Sequence, residues 1–266
     1  MTDGPEQPKI DTTAAHSARV WNYLLGGEDN YAVDRETGDM ILSIFPDIAH
    51  IARVQRRFLT RAVQYLAGEA GIRQFLDIGT GLPSADNTHQ VAQRLAPESR
   101  IVYVDNDPLV LVHAQALLTS TSEGVTDYIE ADVRDPERIL EAAAATLDFN
   151  RPIALMMLGI MGQLPDEDDP ASIITRLLDA LPPGSYLALC DGTDTSEALN
   201  HAIGVYNVNS ASSYHLRSPQ RIAAFFEGLD VVEPGVVTTS QWRPGDVSVE
   251  NGHHEVDAIC GVGRKR

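Results

Sequence analysis

Acidic residues at the ends of apolar runs are the side chains of this sequence that are best placed to bind a ligand. The first of them, Asp77, lies in the run FLDIGTG at residues 75–81, two positions before Gly79. Gly79 and Gly81 flank Thr80, and because glycine has no Cβ the backbone there can turn sharply and let a ligand come close. The carboxylate of Asp77 can accept hydrogen bonds from a cationic or hydroxylated ligand. The pattern therefore predicts a binding site at the end of an apolar strand.

A dinucleotide site would need a different pattern at this turn. Its G-x-G-x-x-G motif has a third glycine that lets the helix pack closely on the strand. Ser84 stands at that third position, and Asp77 would place a negative charge beside a pyrophosphate. S-adenosylmethionine carries an ammonium, a sulfonium and a ribose but no phosphate, so a carboxylate suits it. The turn therefore favours an S-adenosylmethionine site, with an ordinary strand–turn–helix corner as the alternative.

Two further acids follow at the spacing that such a site requires. Asp105 ends a β-branched run about 20 residues after the glycines, where an acid binds a ribose diol, and Asn106 follows it. Asp132 follows a third strand-like run and can accept from an adenine amino group, while Val133 covers a ring face. Asp107 is more simply a helix N-cap. Three acids at successive strand ends predict one cofactor site, with surface turn acids as the alternative for Asp105 and Asp132.

The composition excludes several classes of function. A formal net charge of −18 argues against a nucleic-acid surface, where basic residues supply the affinity. Cys190 and Cys260 lie in apolar runs and are expected to be small buried residues rather than a disulfide. His253 and His254 are not expected to bind a metal. Residues 1–11 contain no apolar signal region and no apolar run is long enough to span a bilayer, so we expect a soluble, cytoplasmic protein.

Apolar periodicity predicts an α/β fold, a Rossmann-like seven-stranded sheet with an antiparallel last strand, plus an N-terminal helical cap. Helical spacing predicts three N-terminal helices, at residues 14–25, after Asp34 and at 47–67. From residue 72 strands and helices alternate, which indicates a parallel sheet with helices on both faces. The last two strands are joined without a helix, which permits an antiparallel final strand.

These elements give the predicted domain organisation. The predicted strands are 72–78, 100–105, 126–131, 152–158, 185–191, 229–237 and 254–263, with helices near 85–96, 108–119, 136–147, 170–181, 194–203 and 219–227. Residues 1–13 are predicted to be a disordered tail, 14–70 the helical cap, and 71–266 the S-adenosylmethionine-binding sheet domain. The cap is expected to pack on the sheet domain.

Several stretches along the chain carry a resemblance to a known family. They are ARVWNYLLGG at 18–27 with DNY at 29–31, FLDIGTGLP at 75–83, and further matches at 103–108, 181–186, 226–229 and 233–235. On these stretches the sequence resembles the class I S-adenosylmethionine-dependent methyltransferases, and more narrowly a bacterial family long catalogued as a domain of unknown function. The resemblance implies a seven-stranded sheet with a reversed last strand and bound S-adenosylmethionine, and it identifies no acceptor.

The sequence departs from the family pattern after the fourth strand. Similar proteins often carry a histidine there, in a Leu-His-x-x-Pro-Asp pattern. This chain reads MGQLPD at residues 161–166, with Gly162 where that histidine would fall. A histidine base at that point is therefore excluded, and no other general base can be identified from the sequence.

The run NYLLGGEDNY at residues 22–31 has two interpretations. Tyr23, Gly27 and Asn30 are candidate cofactor contacts on a flap, with Tyr23 or Tyr31 near the methionine moiety. The alternative is a helix C-cap followed by a turn, which the glycines and Asn30 also explain.

Together these observations predict in-line methyl transfer from S-adenosylmethionine to an unidentified small-molecule acceptor. The cofactor carries the chemistry and the protein positions the reactants. A non-catalytic S-adenosylmethionine-binding regulator is the first alternative, and an NAD(P)-dependent oxidoreductase is a weaker one. A deep second pocket beside the methyl group would favour the enzyme, whereas a sealed site would favour the regulator. The segment Trp242-Arg243-Pro244 is either a wall of that pocket or a loop anchor. Arg53, Arg56 and Arg57 on the third helix either hold a carboxylate or lie on a solvated face.

Overall fold

Eight strands form one mixed sheet in the computed structural model, which describes residues 11–117, 119–244 and 255–266. Five strands are mutually parallel: β1 (Gln74–Ile78), β2 (Arg100–Asp105), β3 (Val125–Glu130), β4 (Ala154–Leu158) and β5 (Tyr186–Gly192). Antiparallel pairing joins β5 to β8 (Ala258–Arg264), and joins β8 to the short strands β6 (Asp230–Val231) and β7 (Val237–Thr238). The strand order is β3-β2-β1-β4-β5-β8-β6, with β7 also paired to β8.

The predicted α/β sheet with an antiparallel last strand is confirmed, but it has eight strands rather than seven. The predicted strand at 229–237 is two short strands, β6 and β7, on either side of a turn. Pro234 has no N–H to donate to the ladder, and Gly235 has a φ of +99°. The pairing with β8 is therefore interrupted between β6 and β7.

Nine α-helices are present in the described part of the chain. They are α1 (Ser17–Leu24), α2 (Ala32–Ile44), α3 (Ile48–Gln64), α4 (Thr88–Leu95), α5 (Pro108–Leu117), α6 (Pro136–Ala143), α7 (Pro170–Asp179), α8 (Glu197–Asn209) and α9 (Pro219–Ala224). Their starts follow the capping chemistry in the sequence: the Ser218 hydroxyl accepts from the Arg221 amide 3.3 Å away, just before Pro219.

Both faces of the sheet are covered, which is why its central strands are near-continuous apolar runs. All residues of β1 and β5 are buried. Leu76 packs in one core with α6 and α7, whereas its neighbour Phe75 packs in the opposite core with Phe58 of α3. Trp242 lies fully buried in that second core, 5.4 Å from Phe58 between ring centroids, so it is a loop anchor rather than a pocket wall.

The N-terminal helices form a third apolar core, and α8 is part of it. Val20 of α1, Ile41 of α2 and Ile51 of α3 pack with Leu199 and Ala202 of α8. Because α3 also belongs to the core under β1, it connects the N-terminal helices to the sheet. The division into a cap at residues 14–70 and a sheet domain at 71–266 stays a prediction.

Some predicted features lie outside the described residues. They are residues 1–10 of the predicted tail, most of the link between the last two predicted strands, and His253 and His254. In the part of the chain that is described, Cys190 and Cys260 are buried free thiols, as predicted. No helix within those described ranges is long and apolar enough to cross a membrane.

Candidate functional site

The carboxyl ends of the parallel strands meet at one edge of the sheet, where the strand order reverses between β1 and β4. Such a reversal opens a crevice in which ligands of open α/β sheets bind. The turn after β1 follows this edge, with Gly79 and Gly81 at φ values of +73° and +65°. A Cβ on Gly79 would lie 2.7 Å from the Ile160 side chain, so the loop after β4 packs directly on the turn. Glycine at position 79 thus serves both conformation and packing.

A cavity of about 270 Å³ opens over this edge of the sheet. Eight of the predicted cofactor residues line it: Asp77, Gly79, Thr80, Gly81, Asp105, Asn106, Asp132 and Val133. They come from the ends of β1, β2 and β3, so the structure brings together the three strand ends that the sequence indicated.

Asp105 is held rigidly at the end of β2. One carboxylate oxygen accepts from the Gly81 amide at 2.7 Å, and the other accepts from the Asp107 amide at 3.0 Å. Burial raises the pKa of Asp105, against the lowering effect of these two amides. A carboxylate offers about four lone-pair positions, so two amides leave room for two ligand hydroxyls. The geometry is suited to a ribose diol.

Asp77 is buried one strand away, beside a guanidinium. Its carboxylate accepts from the Thr88 hydroxyl at 2.6 Å, and Arg56 also lines the cavity. Burial raises the pKa of Asp77 to about 6, while the Thr88 hydrogen bond and the Arg56 charge lower it. Arg56 itself donates to the Asn87 side chain at 2.7 Å, so it braces the turn after β1 rather than lying on a solvated face.

Asp132 differs from the other two acids because it is only half-buried and is already paired. Its carboxylate lies 3.0 Å from the Arg134 guanidinium, which also contacts Asp168 at 2.6 Å. The Asn106 amide donates to the same Asp132 oxygen at 3.3 Å. Val133, in contrast, is buried and presents an apolar surface to the cavity. The contact of Asp132 with an adenine amino group stays a prediction.

The other three predicted residues are not among the described residues that line the cavity. Asn30 donates to the Asn22 side chain at 2.9 Å and to the Gly27 carbonyl at 2.8 Å, and a Cβ on Gly27 would collide with Asn22. The Tyr23 hydroxyl donates to Asp39 at 2.6 Å. In this structure the three residues shape the turn after α1, and their contact with a cofactor remains a prediction.

A buried ion pair holds the N-terminal segment over the sheet edge. Arg19 lies 3.2 Å from Asp34, and that carboxylate also accepts from the backbone amides of His16 and Tyr31 at 3.0 and 2.9 Å. The His16 ring in turn lies 3.0 Å from Asp107, just beyond β2. His16 lines the cavity, a position that no local sequence signal indicates.

Away from the acids at the ends of β1 to β3 the lining is mainly apolar, although it also includes the polar residues Gln55, Gln163, Tyr206, Ser212, Tyr214 and Asp257. The apolar side chains of this part of the lining come from the N-terminal helices, from the end of β4, from α8 and from the segment after α8. They are Val20, Trp21, Leu24, Leu25, Ile41, Ile48, Ile51, Leu59, Leu158, Ile160, Leu164, Leu199, Ile203 and Leu216. The cavity therefore has a polar end over β1 to β3 and an apolar end over β4 and β5.

Two polar residues at the apolar end were not identified from the sequence. Tyr214 lines the cavity and its hydroxyl donates to Asp191, a buried acid near the end of β5. Asp191 has the same acid-at-a-strand-end signal as Asp77 and Asp105, so extending that pattern to the fifth strand would have found it. Tyr214 lies in irregular structure, where no local pattern predicts a role.

Sequence and structure comparisons identify related proteins. The sequence model of the S-adenosyl methyltransferase family matches residues 3–266. The structure of a DUF574 family protein from Streptomyces avermitilis shares 44% identity with a TM-score of 0.93, over 97% of this chain and 100% of that chain. A presumed methyltransferase from Thermobifida fusca shares 39% identity with a TM-score of 0.87, over 96% and 97% of the two chains.

More distant structures share the fold alone. An S-adenosylmethionine-dependent methyltransferase from Anabaena variabilis has 11% identity and a TM-score of 0.53, over 98% of this chain and 100% of that chain. No functionally curated protein matches the sequence significantly.

Proposed function

The chain belongs to the S-adenosyl methyltransferase family, and from this premise we propose that it transfers the methyl group of S-adenosylmethionine to a small, largely apolar acceptor. The observation that carries the proposal is the shape of the cavity. One continuous cavity includes both the buried acids Asp77 and Asp105 and the apolar side chains contributed by α1, α3 and α8. Two ligands of different polarity can therefore meet in it.

The residues at the polar end fit the three parts of S-adenosylmethionine. Asp77, buried beside the glycine turn, is suited to the ammonium group of the methionine moiety. Asp105, with both oxygens already oriented by backbone amides, is suited to the ribose hydroxyls. Val133 offers an apolar surface to the adenine ring, and Asn106 and Asp132 lie next to it in the same lining.

The cofactor, when bound, supplies a methyl group on a positively charged sulfur with a good leaving group. The protein has to hold the acceptor in line with that methyl group and keep water out. Holding two reactants in such a geometry can contribute about 7–11 kcal/mol toward the barrier. In this chain α1 and α3 supply the apolar cover, and the Arg19–Asp34 pair fixes the start of α1 over the strand ends.

The rival interpretations lack this support. A regulator that only binds S-adenosylmethionine needs no apolar space beyond the cofactor, whereas here that space is lined by side chains from four separate segments. A nicotinamide-dependent oxidoreductase would place a pyrophosphate next to the buried carboxylate of Asp77. The net charge of −18 favours a small molecule over a nucleic acid as the acceptor.

Calorimetry tests the proposal directly. Protein stripped of carried-over cofactor is titrated with S-adenosylmethionine, with its demethylated product S-adenosylhomocysteine, and with NADH as the control. We expect saturable binding of the first two ligands and none of NADH. Folded protein that binds neither S-adenosyl compound would refute the proposal, and binding of NADH alone would revive the oxidoreductase.

A further inference from the structure

The acid near the end of β5 is held by groups that do not take part in the predicted cofactor site. Asp191 is buried, and its carboxylate accepts from the backbone amides of Gly162 at 2.9 Å and Gly192 at 3.2 Å. The Tyr214 hydroxyl is its third donor. Asp191 is therefore a buried acid with three donors. It is not itself among the described residues that line the cavity, and Tyr214 connects it to the apolar end.

The position of Tyr214 is fixed from two directions. Its backbone amide donates to the Asn207 side chain at 2.7 Å, and the Asn207 amide group donates back to its carbonyl at 2.9 Å. Its ring lies against Gly162, where a Cβ would collide with the ring atoms. The residue is half-buried and lines the cavity.

This pair lies on the acceptor side of the cavity. Strand β5 is two strand spacings, about 10 Å across the sheet, from β1 and its Asp77. The strand between them is β4, whose end carries Gly159 and Ile160 in the cavity lining. The three predicted cofactor acids lie at the ends of β1, β2 and β3, so β4 and β5 are left for the acceptor.

We propose that Tyr214 is a catalytic residue that accepts the proton of an acceptor hydroxyl, with Asp191 as the positioning residue that takes up the tyrosine proton. The inference rests on the proposed function and deepens it, because it assigns the acceptor to apolar compounds that carry a hydroxyl group. Tyr214 is suited to this role since its oxygen donates to Asp191 and keeps a lone pair for the acceptor. Its other neighbour, the Gly192 amide, is 3.4 Å away and interacts weakly.

The atoms and electrons of the step balance. The acceptor oxygen forms a bond to the methyl carbon as the bond between that carbon and sulfur breaks, and the bonding pair stays on sulfur. The acceptor proton moves to the Tyr214 oxygen while the Tyr214 proton moves to the Asp191 carboxylate. The products are a methyl ether, neutral S-adenosylhomocysteine and a protonated Asp191, which returns its proton to water when the products leave.

The charges around the pair are compatible with this proton path. Burial raises the pKa of Asp191 to about 6, against the lowering effects of the Tyr214 hydroxyl, the Arg217 charge and two backbone amides. Asp191 is therefore ionised at neutral pH. Burial and the Asp191 charge raise the pKa of Tyr214, to which the nearby Cys190 thiol also contributes. Tyr214 thus keeps its own proton until it receives another.

Matched acceptor probes test the assignment. Transfer of labelled methyl from saturating S-adenosylmethionine is measured with 2-naphthol and with 2-naphthylamine, which share one apolar body and differ in the reacting group. We expect methylation of 2-naphthol to exceed that of the amine. Tyr214→Phe should lower kcat for 2-naphthol by about 100-fold or more, with little change in KM for either substrate. Tyr186→Phe, on the same strand as Asp191 but outside the cavity lining, is the control and should leave kcat unchanged.

The pH profile separates a proton acceptor from a merely structural residue. S-adenosylmethionine is kept saturating at every pH, because Asp77, whose pKa is also raised to about 6, is expected to weaken cofactor binding in the same range. Under these conditions kcat/KM of the wild type for 2-naphthol should rise with pH through about 6, the range in which Asp191 loses its proton. In Asp191→Asn this acidic limb of the pH profile should be absent. If this variant does not fold, the wild-type pH profile and the kcat of Tyr214→Phe test the assignment.

Four results would overturn the assignment in protein that binds S-adenosylmethionine. They are absence of transfer to 2-naphthol, transfer to the amine at an equal or higher rate, undiminished kcat in Tyr214→Phe, and an acidic limb that persists in Asp191→Asn. Wild-type protein that fails to bind S-adenosylmethionine would instead refute the proposed function itself, so the two failures are distinguishable.

Discussion

The two ends of the cavity hold their buried carboxylates in different ways. At the polar end, Asp105 accepts hydrogen bonds from the amides of Gly81 and Asp107. Gly81 belongs to the turn after β1, and Asp107 belongs to the turn after β2. At the apolar end, Asp191 depends on Gly162 from the loop after β4 and on Tyr214 from beyond α8. The first arrangement is nearly complete once β1 and β2 have paired. The second exists only when segments far apart in the chain have packed together.

The two ends should therefore differ in how well they tolerate amino-acid substitutions. Backbone amides that orient Asp105 are present whatever the side chains are, so the cofactor end resists substitution outside the acid and the glycines. The acceptor end is built from side chains, and a single change of volume can displace its reacting group.

The largest effect is expected from Gly162→Ala. The added methyl group would occupy the space of the Tyr214 ring and push its hydroxyl away from the acceptor. A misplacement of about 1 Å can cost about 100-fold in rate, so kcat should fall by about that factor. Affinity for S-adenosylmethionine, measured by calorimetry, should stay unchanged because the cofactor end is not touched.

Gly204→Ala is the matched control for that variant. Gly204 lies in α8, and a Cβ there meets nothing within 4 Å. This substitution should preserve kcat and raise helix stability slightly. If Gly162→Ala kept full activity, the acceptor end would be less dependent on packing than the structure indicates.

Asp105→Asn probes the other end. The asparagine oxygen can still accept from the Gly81 amide, but the charged acceptor for ligand hydroxyls is lost. Affinity for S-adenosylmethionine should fall by about 1–3 kcal/mol, with the fold retained. Glu130→Gln is the control, since Glu130 is the exposed register partner of Asp105 on β3. Equal affinities for the two variants in calorimetry would remove Asp105 from the cofactor site.

The pH dependence of cofactor affinity should follow Asp77. Because burial raises its pKa to about 6, the carboxylate binds a proton below that pH and no longer attracts the ligand ammonium. Affinity should therefore be full above about pH 6 and fall about tenfold for each pH unit below it. Calorimetry from pH 5 to 8 measures this, and Asp77→Asn should bind more weakly with a flatter profile. A wild-type affinity that does not change over this range would contradict the assignment of Asp77 to the ammonium.

The smallest effect is expected at Tyr23. Tyr23→Phe removes one exposed hydrogen bond to Asp39, so the free energy of unfolding should fall by less than about 1 kcal/mol. Since Tyr23 is not among the described cavity-lining residues, affinity for S-adenosylmethionine should stay within about twofold. A loss of about tenfold or more would instead support the flap, with Tyr23 reaching the cofactor after closure.

The same contrast explains what could be predicted from the sequence. Asp77, Asp105 and the glycines were identified because a strand end followed by a tight turn is a local pattern with a known geometry. Asp132 matches the same pattern, but its carboxylate is paired with Arg134, which also contacts Asp168. The strand-end pattern does not predict these ion pairs. The sheet was predicted down to its reversed last strand, except that Pro234 and Gly235 divide one predicted strand into two.

Two residues that line the cavity, one at each end, were not predicted from the sequence, for a physical reason. His16 and Tyr214 reach the cavity only through tertiary contacts, the Asp34 carboxylate for the first and the Asn207 side chain for the second. Neither contact corresponds to a periodic pattern of residues in the sequence. Pattern reasoning identifies what one element does, whereas these positions are determined by how several elements pack.

The contact between Gly162 and Tyr214 also has an evolutionary consequence. A side chain at position 162 and an aromatic ring at position 214 would compete for the same volume. Within the family the two positions should therefore covary: sequences with glycine at the first position should keep the ring at the second, and sequences with a larger residue at the first should lack it. A lineage could exchange one reacting group for the other only through paired substitutions, and so the pair would mark subfamilies that differ in acceptor.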